Sequence, residues 1–108
     1  MYTNREGCTI YEKTVQNRAP TYIRHETGEI YWEEHQEQKS GADRSPRNEA
    51  FVSIPCTSVK GYIPKKDDRI VGEVVSDELP PKTALTVMSV SDFRYGLSVQ
   101  HIEVKAEC

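Results

Sequence analysis

The chain lacks any apolar run approaching the ~20 residues that a membrane-spanning helix needs. Its first residues, Met1–Tyr2–Thr3–Asn4–Arg5–Glu6, lack the basic and then apolar pattern of a secretory signal. Basic excess is missing too: 14 Lys and Arg face 17 Asp and Glu, for a net charge of −3. That balance does not suit a protein whose task is to grip a nucleic-acid backbone. Only 3 cysteines occur, at Cys8, Cys56 and Cys108, far apart and with no C-x-x-C pair, so a zinc knuckle or redox motif is not expected. Reduced thiols in a soluble intracellular protein are the simplest reading. G-x-S-x-G, H-E-x-x-H, P-loop and G-x-G-x-x-G signatures are all missing, so no enzyme activity and no cofactor are expected. The histidines, His25, His35 and His101, are scattered over separate elements and read as polar strand residues, with no metal site.

Helical spacing is also missing, although helix formers cluster from Glu33 to Ser40 and a turn or two could form there. With 108 residues the chain is one domain, and with 36% hydrophobic residues its core is thin.

What is present is β-pattern. Cys8 to Val15 carries the β-formers Thr9, Ile10, Tyr11, Thr14 and Val15. Asn17 to Pro20 suits a turn, and Thr21 to Arg24 reads as a second strand. Glu26–Thr27–Gly28 reads as a tight turn into a third strand, Glu29 to Glu34, so that the second and third strands are expected to form a hairpin. Ile30 and Trp32 share one face of that strand and Tyr31 and Glu33 the other.

His35 to Glu49 has Ala42 as its only apolar residue, so it reads as a long polar loop that buries almost nothing. Loops this long inside compact domains are often functional. Gln36, Glu37, Gln38, Lys39, Arg44 and Arg47 are its candidate partner-binding residues. Its charges are split, with Glu37 early and Arg44 and Arg47 late, so one end suits a basic surface and the other an acidic one.

Ala50 to Ile54 is a strand ended by Pro55. Arg69–Ile70–Val71 follows Asp67–Asp68, a mixed-charge turn beside Lys65–Lys66, and Gly72 suggests a bulge before Glu73–Val74–Val75. Ala84 to Val90 is the strongest strand. Asp92 to Gly96 turns it, and Leu97 to Val104 returns with a phase slip near Gln100–His101 that suggests another bulge. About seven short strands argue for an all-β domain, a small β-barrel or sandwich with a long polar loop. Trp32, Ile30, Phe51, Ile54, Ile70, Val87 and Ile102 are the expected core.

Two constellations invite chemistry. Glu29, Glu33, Glu34 and Glu37 surround Trp32, but acid–base work needs a pocket and a raised pKa, and on a solvated hairpin these acids serve solubility. Tyr22, Tyr31 and Trp32 could stack on single-stranded nucleic acid as in an OB-fold. Their acidic neighbours favour cross-strand packing instead.

The run Ile63-Pro64-Lys65-Lys66-Asp67-Asp68-Arg69-Ile70-Val71-Gly72-Glu73 is followed by Leu85-Thr86-Val87-Met88-Ser89-Val90-Ser91-Asp92-Phe93-Arg94-Tyr95-Gly96 and then Val99-Gln100-His101-Ile102-Glu103-Val104. That order resembles the head–tail joining (head-closure, or stopper) neck proteins of tailed bacteriophages. Tyr22-Ile23-Arg24-His25, Tyr31-Trp32-Glu33-Glu34 and Phe51-Val52-Ser53-Ile54-Pro55 are similar to small structural proteins of Gram-positive prophages.

The resemblance implies a β-barrel with long loops that contacts portal, adaptor and tail proteins and assembles as a ring of about six copies. It implies residence in the host cytoplasm during assembly and then in the virion neck, with no sequence-specific nucleic-acid binding. A tail-completion or minor tail protein, and an OB-like nucleic-acid-binding domain, are the alternatives.

Overall fold

The computed structural model describes residues 3–37, 47–93 and 100–107. Eight strands lie in them: β1 (Thr3–Arg5), β2 (Thr9–Gln16), β3 (Ala19–Glu26), β4 (Ile30–Glu37), β5 (Arg47–Pro55), β6 (Arg69–Val71), β7 (Leu85–Phe93) and β8 (His101–Glu107). A 3-10 turn at Cys56–Ser58 is the only helical element among the described residues. The strands form one antiparallel sheet in the order β1-β4-β5-β8-β7-β6-β2-β3, curled into a half-barrel. The all-β expectation holds.

Side chains alternate across each strand, so a curled sheet presents one set of residues to its concave face. Ile10, Ile30, Trp32, Val52, Ile54, Ile70, Leu85, Val87, Ile102, Val104 and Ala106 are buried there in one cluster. The register explains the set. Trp32 opposes Val52, Val52 opposes Val104, Ile54 opposes Ile102 and Ala50 opposes Ala106. Of the expected core, Phe51 alone is displaced. It is half-buried and has the opposite phase, and Val52 takes the core position.

β1 and β2 stand far apart in the sheet order yet are joined by only Glu6, Gly7 and Cys8. This short corner carries the chain across the open side of the half-barrel. Gly7 is required there. A Cβ on it would lie 2.6 Å from the carbonyl oxygen of Thr27 and 2.9 Å from a Val74 methyl. Cys8 is anchored by its neighbour across the corner, as its N–H donates to Thr27 Oγ1 at 3.1 Å and its carbonyl accepts from the Thr27 N–H at 3.0 Å.

Several sequence expectations are corrected. The expected hairpin of the second and third strands does not form. β3 pairs with β2 along its whole length, and β4 pairs with β1 and β5. The tight turn is Asn17–Arg18, both at positive φ (52° and 64°), as a two-residue hairpin turn demands. Glu26–Thr27–Gly28 instead carries the chain between distant parts of the sheet.

The expected long loop does not begin at His35, nor does it run to Glu49. His35, Gln36 and Glu37 are in β4 and oppose Glu49, Asn48 and Arg47 of β5. Ladder pairing outweighs the helix formers of that stretch, because each residue added to β4 finds a partner on β5. Gly72 marks the end of β6 rather than a bulge. A Cβ there would lie 3.0 Å from both the Trp32 ring and an Arg5 nitrogen. The irregularity sits in β7, between Val87 and Ser89, where Met88 is the extra residue. It shifts the inward phase from Val87 to Val90, which packs on the core. The turn expected from Asp92 starts later, since Asp92 and Phe93 still pair with Ile102 and His101. Leu97 and Val99 lie outside the described residues.

Candidate functional site

β3 is an end strand of the sheet, paired on one side only among the described residues. Its register with β2 places Ile23 and His25 on the same face as Glu12 and Ile10, the concave side, and Tyr22 and Arg24 beside Lys13 and Tyr11 on the convex side. Both faces of this edge are clamped.

On the concave side, His25 Nε2 donates to Glu12 Oε1 across 2.9 Å. The His25 ring stacks on Tyr62, with centroids 4.0 Å apart and planes within 7°. Tyr62 in turn donates its hydroxyl to the Asp68 carboxylate. Asp68 is fully buried, and a buried carboxylate must be satisfied by donors. It accepts from the Lys13 N–H at 3.1 Å, the Lys65 N–H at 3.0 Å and Lys65 Nζ at 3.2 Å. Burial, and then the bond to Asp68, push the Tyr62 phenol well above its ordinary pKa. Lys65 Nζ also lies 3.0 Å from the Tyr62 hydroxyl and 3.8 Å from Glu12 Oε2. Two carboxylates, one lysine and a hydrogen-bonded histidine tie the 62–68 segment to the β2–β3 hairpin.

On the convex side, Arg24 donates Nε at 2.7 Å, and also Nη2, to the Val75 carbonyl, and Nη1 to Glu26 Oε2 at 3.0 Å. The segment after β6 is held down by further bonds. Thr9 Oγ1 donates to the Glu73 carbonyl and accepts from the Val75 N–H, both at 2.9 Å, and the Tyr11 hydroxyl donates to the Asp77 carbonyl at 2.7 Å. Tyr11, Val71 and Ala84 form a small second core under it, joined by Tyr22 and Val75.

Across the open side of the half-barrel, the Arg5 guanidinium lies 5.2 Å over the Trp32 ring, and its Nη1 donates to the Gly72 carbonyl at 3.1 Å. A polar groove of about 570 Å³ runs beside it, walled by β1, Glu6, Gly7 and Gly72–Val74.

The sequence-predicted binding residues are divided by the fold. The backbones of Gln36, Glu37 and Arg47 are ladder positions, with Glu37 opposite Arg47, so these are strand residues and not loop. Gln38, Lys39 and Arg44 lie outside the described residues. Of the aromatics weighed as stacking platforms, Trp32 is buried in the core and Tyr22 packs on the second one, leaving Tyr31 exposed. His35 pairs with Glu33 at 3.0 Å, and His101 stacks on Phe93. Among the described residues no group of three His, Cys, Asp or Glu is placed to hold a metal ion, and no helix is long and apolar enough to cross a membrane.

Sequence reasoning missed the clamped edge. It took Lys65–Lys66 and Asp67–Asp68 for a mixed-charge turn. An acid directly before the short strand Arg69–Ile70–Val71 was the available signal that one carboxylate is carried into the fold.

Residues 2–107 match the model of a family described as "Family of unknown function (DUF6751)". No curated protein and no solved structure matches the chain.

Proposed function

For this chain, which belongs to the DUF6751 family, we propose a structural role: it works by docking other proteins, as a connector of the phage neck that helps join the filled head to the tail. The observation that carries a docking role is the outer edge of β3, unpaired among the described residues and held from both faces by His25 and Arg24. A strand that is already ordered loses little entropy when a partner adds to it, and its unpaired backbone groups supply the hydrogen bonds. The most chemistry-like constellation, around Asp68, supports the same reading. Its donors and acceptors are spent on one another, which suits anchoring a loop better than attacking a substrate. The neck itself is suggested by the sequence resemblance, and the net charge of −3 suits a protein that sits beside packaged DNA without adhering to it.

The test is removal of the gene from a phage or prophage that encodes this chain, followed by electron microscopy of the lysate. Filled heads and tails that fail to join are expected, restored by the chain supplied in trans. Intact infectious particles without it would overturn the connector reading. Duplex DNA at physiological salt should bind weakly at most. Tight, salt-sensitive binding would favour the OB-like alternative.

A further inference from the structure

We propose that the free chain pairs with a second copy of itself through β3, antiparallel, about a two-fold axis passing through Ile23. This rests on the reading that the chain acts through protein contacts, and it adds the partner, the register and the axis.

The backbone of β3 dictates the choice. In an antiparallel ladder, alternate residues turn their N–H and C=O toward one neighbour. Thr27 donates its N–H to the Cys8 carbonyl, one step beyond the pair Glu26 and Thr9. The odd-numbered residues of β3 therefore face β2, and Pro20, Tyr22, Arg24 and Glu26 turn their backbone groups away from it. Pro20 has no N–H to offer. The outward donors are Tyr22, Arg24 and Glu26.

A two-fold centred on Ile23 sets Tyr22 opposite Arg24 of the second copy, and Glu26 opposite Pro20. Every outward N–H of both copies then meets an outward carbonyl, with Pro20 opposite Glu26 at each end of the ladder, where its missing donor costs least. Ile23 meets itself at the close, non-hydrogen-bonded position. It is 49% exposed in the single chain, an unusual state for an isoleucine on the concave face of a curled sheet. Arg18, at the hairpin turn, falls diagonally across from Glu26.

The neighbouring registers are worse. Centring on Arg24 places two guanidinium groups directly opposite each other. Centring on Tyr22 leaves the Glu26 N–H beyond the partner strand. An exposed strand of this length is a hazard unless it is covered, and a second copy covers it. The contact is isologous and closes on itself.

The test uses the full chain in analytical ultracentrifugation over a wide concentration range. A monomer–dimer equilibrium is expected. Ile23→Lys should weaken it at least tenfold, with the far-ultraviolet spectrum unchanged, because two ammonium groups would meet on the axis. In a background of Cys56→Ser and Cys108→Ser, Ile23→Cys should cross-link to a dimer under mild oxidation, whereas Val15→Cys, a more exposed position but on the inner neighbour β2, should not. If Ile23→Lys loses its fold, the cross-link decides: its presence supports the pair and its failure overturns it. A chain that stays monomeric at every concentration overturns the pair. So does a dimer indifferent to a folded Ile23→Lys variant, and so does a ring-sized species, since a ring of identical copies needs head-to-tail contacts. The connector reading fails separately, through the gene-removal phenotype: a monomeric or ring-forming chain that still restores head–tail joining removes only the two-fold pair.

Discussion

His25 lies flat on Tyr62, with ring centroids 4.0 Å apart and planes inclined by only 7°. The stack links an edge strand to a segment some forty positions away, and each ring has a second anchor: Glu12 for the imidazole and Asp68 for the phenol. Stacked pairs of this kind contribute about 1 kcal/mol beyond area burial. A double-mutant cycle of His25→Ala and Tyr62→Ala, followed by urea unfolding, should return a coupling of about 1 kcal/mol. Additive losses would mean that the two rings stabilise the fold independently.

Asp68 is the more costly residue to lose. Asp68→Ala leaves the Lys13 N–H, the Lys65 N–H and the Tyr62 hydroxyl without their shared acceptor, and removal of a buried, hydrogen-bonded carboxylate costs about 3 kcal/mol. The urea midpoint should fall accordingly with the slope unchanged. Lys65→Ala should cost far less, because its ammonium is half exposed and water replaces its contribution.

The division between what the sequence disclosed and what it withheld follows the range of the forces. Ile30 and Trp32, Ile70, Val87 and Ile102 were legible because side-chain alternation is a property of the strand alone. Phe51 misled because size suggested burial, whereas pairing with Glu33 and Lys105 fixes the opposite phase, and its ring meets His35 edge-on instead of entering the core. The false hairpin at Glu26–Gly28 arose because turn chemistry is local while strand partnership is not. Asn17–Arg18 carried an equally good turn signal, and only the long-range ladder decides between them. The Asp68 site needed Lys13, Tyr62 and Lys65 to converge from separate elements, and no spacing along the chain announces that.

Gly7→Ala should be destabilising without any change in backbone preference. The added methyl meets the Thr27 carbonyl at 2.6 Å and Val74 at 2.9 Å, and neither can retreat without breaking the corner bonds of Cys8 and Thr27. A loss of about 2 kcal/mol is expected, read as a lowered Tm. Gly61→Ala serves as a contrast. It meets no atom within 4 Å, and only its φ of +87° resists substitution, so about 1 kcal/mol is expected there.

Stability should fall in mild alkali. Burial pushes the Cys8 thiol from 9.0 up to about 11, opposed in part by its bond to Thr27, and burial likewise raises the phenols of Tyr11 and Tyr62. Below pH 9 these groups are protonated in both states and their contribution is complete. Between pH 9 and 11 the unfolded chain releases the Cys8 proton while the folded chain keeps it, so stability declines with rising pH. Urea midpoints measured from pH 8 to 11 should trace that fall. Cys8→Ala should flatten its first part and Tyr62→Phe the part above pH 10. The same burial predicts that, at pH 8, a thiol reagent labels Cys56 well before Cys8.

The hairpin of β4 and β5 offers the test of the polar segment beyond it. The ladder runs to Glu37 opposite Arg47, so residues 38–46 can be replaced by Asn-Gly, the pair that closes a two-residue hairpin at least strain. The core pair of Trp32 with Val52 lies several ladder steps away, so thermal stability should stay within about 0.5 kcal/mol of the parent. The two-fold pairing through β3, at the opposite end of the sheet order, should also be retained in ultracentrifugation. Head–tail joining is expected to fail with this variant, because Gln38, Lys39 and Arg44 go with the deleted segment while every described strand remains. A shortened chain that still joins heads to tails would exclude these side chains from the docking surface.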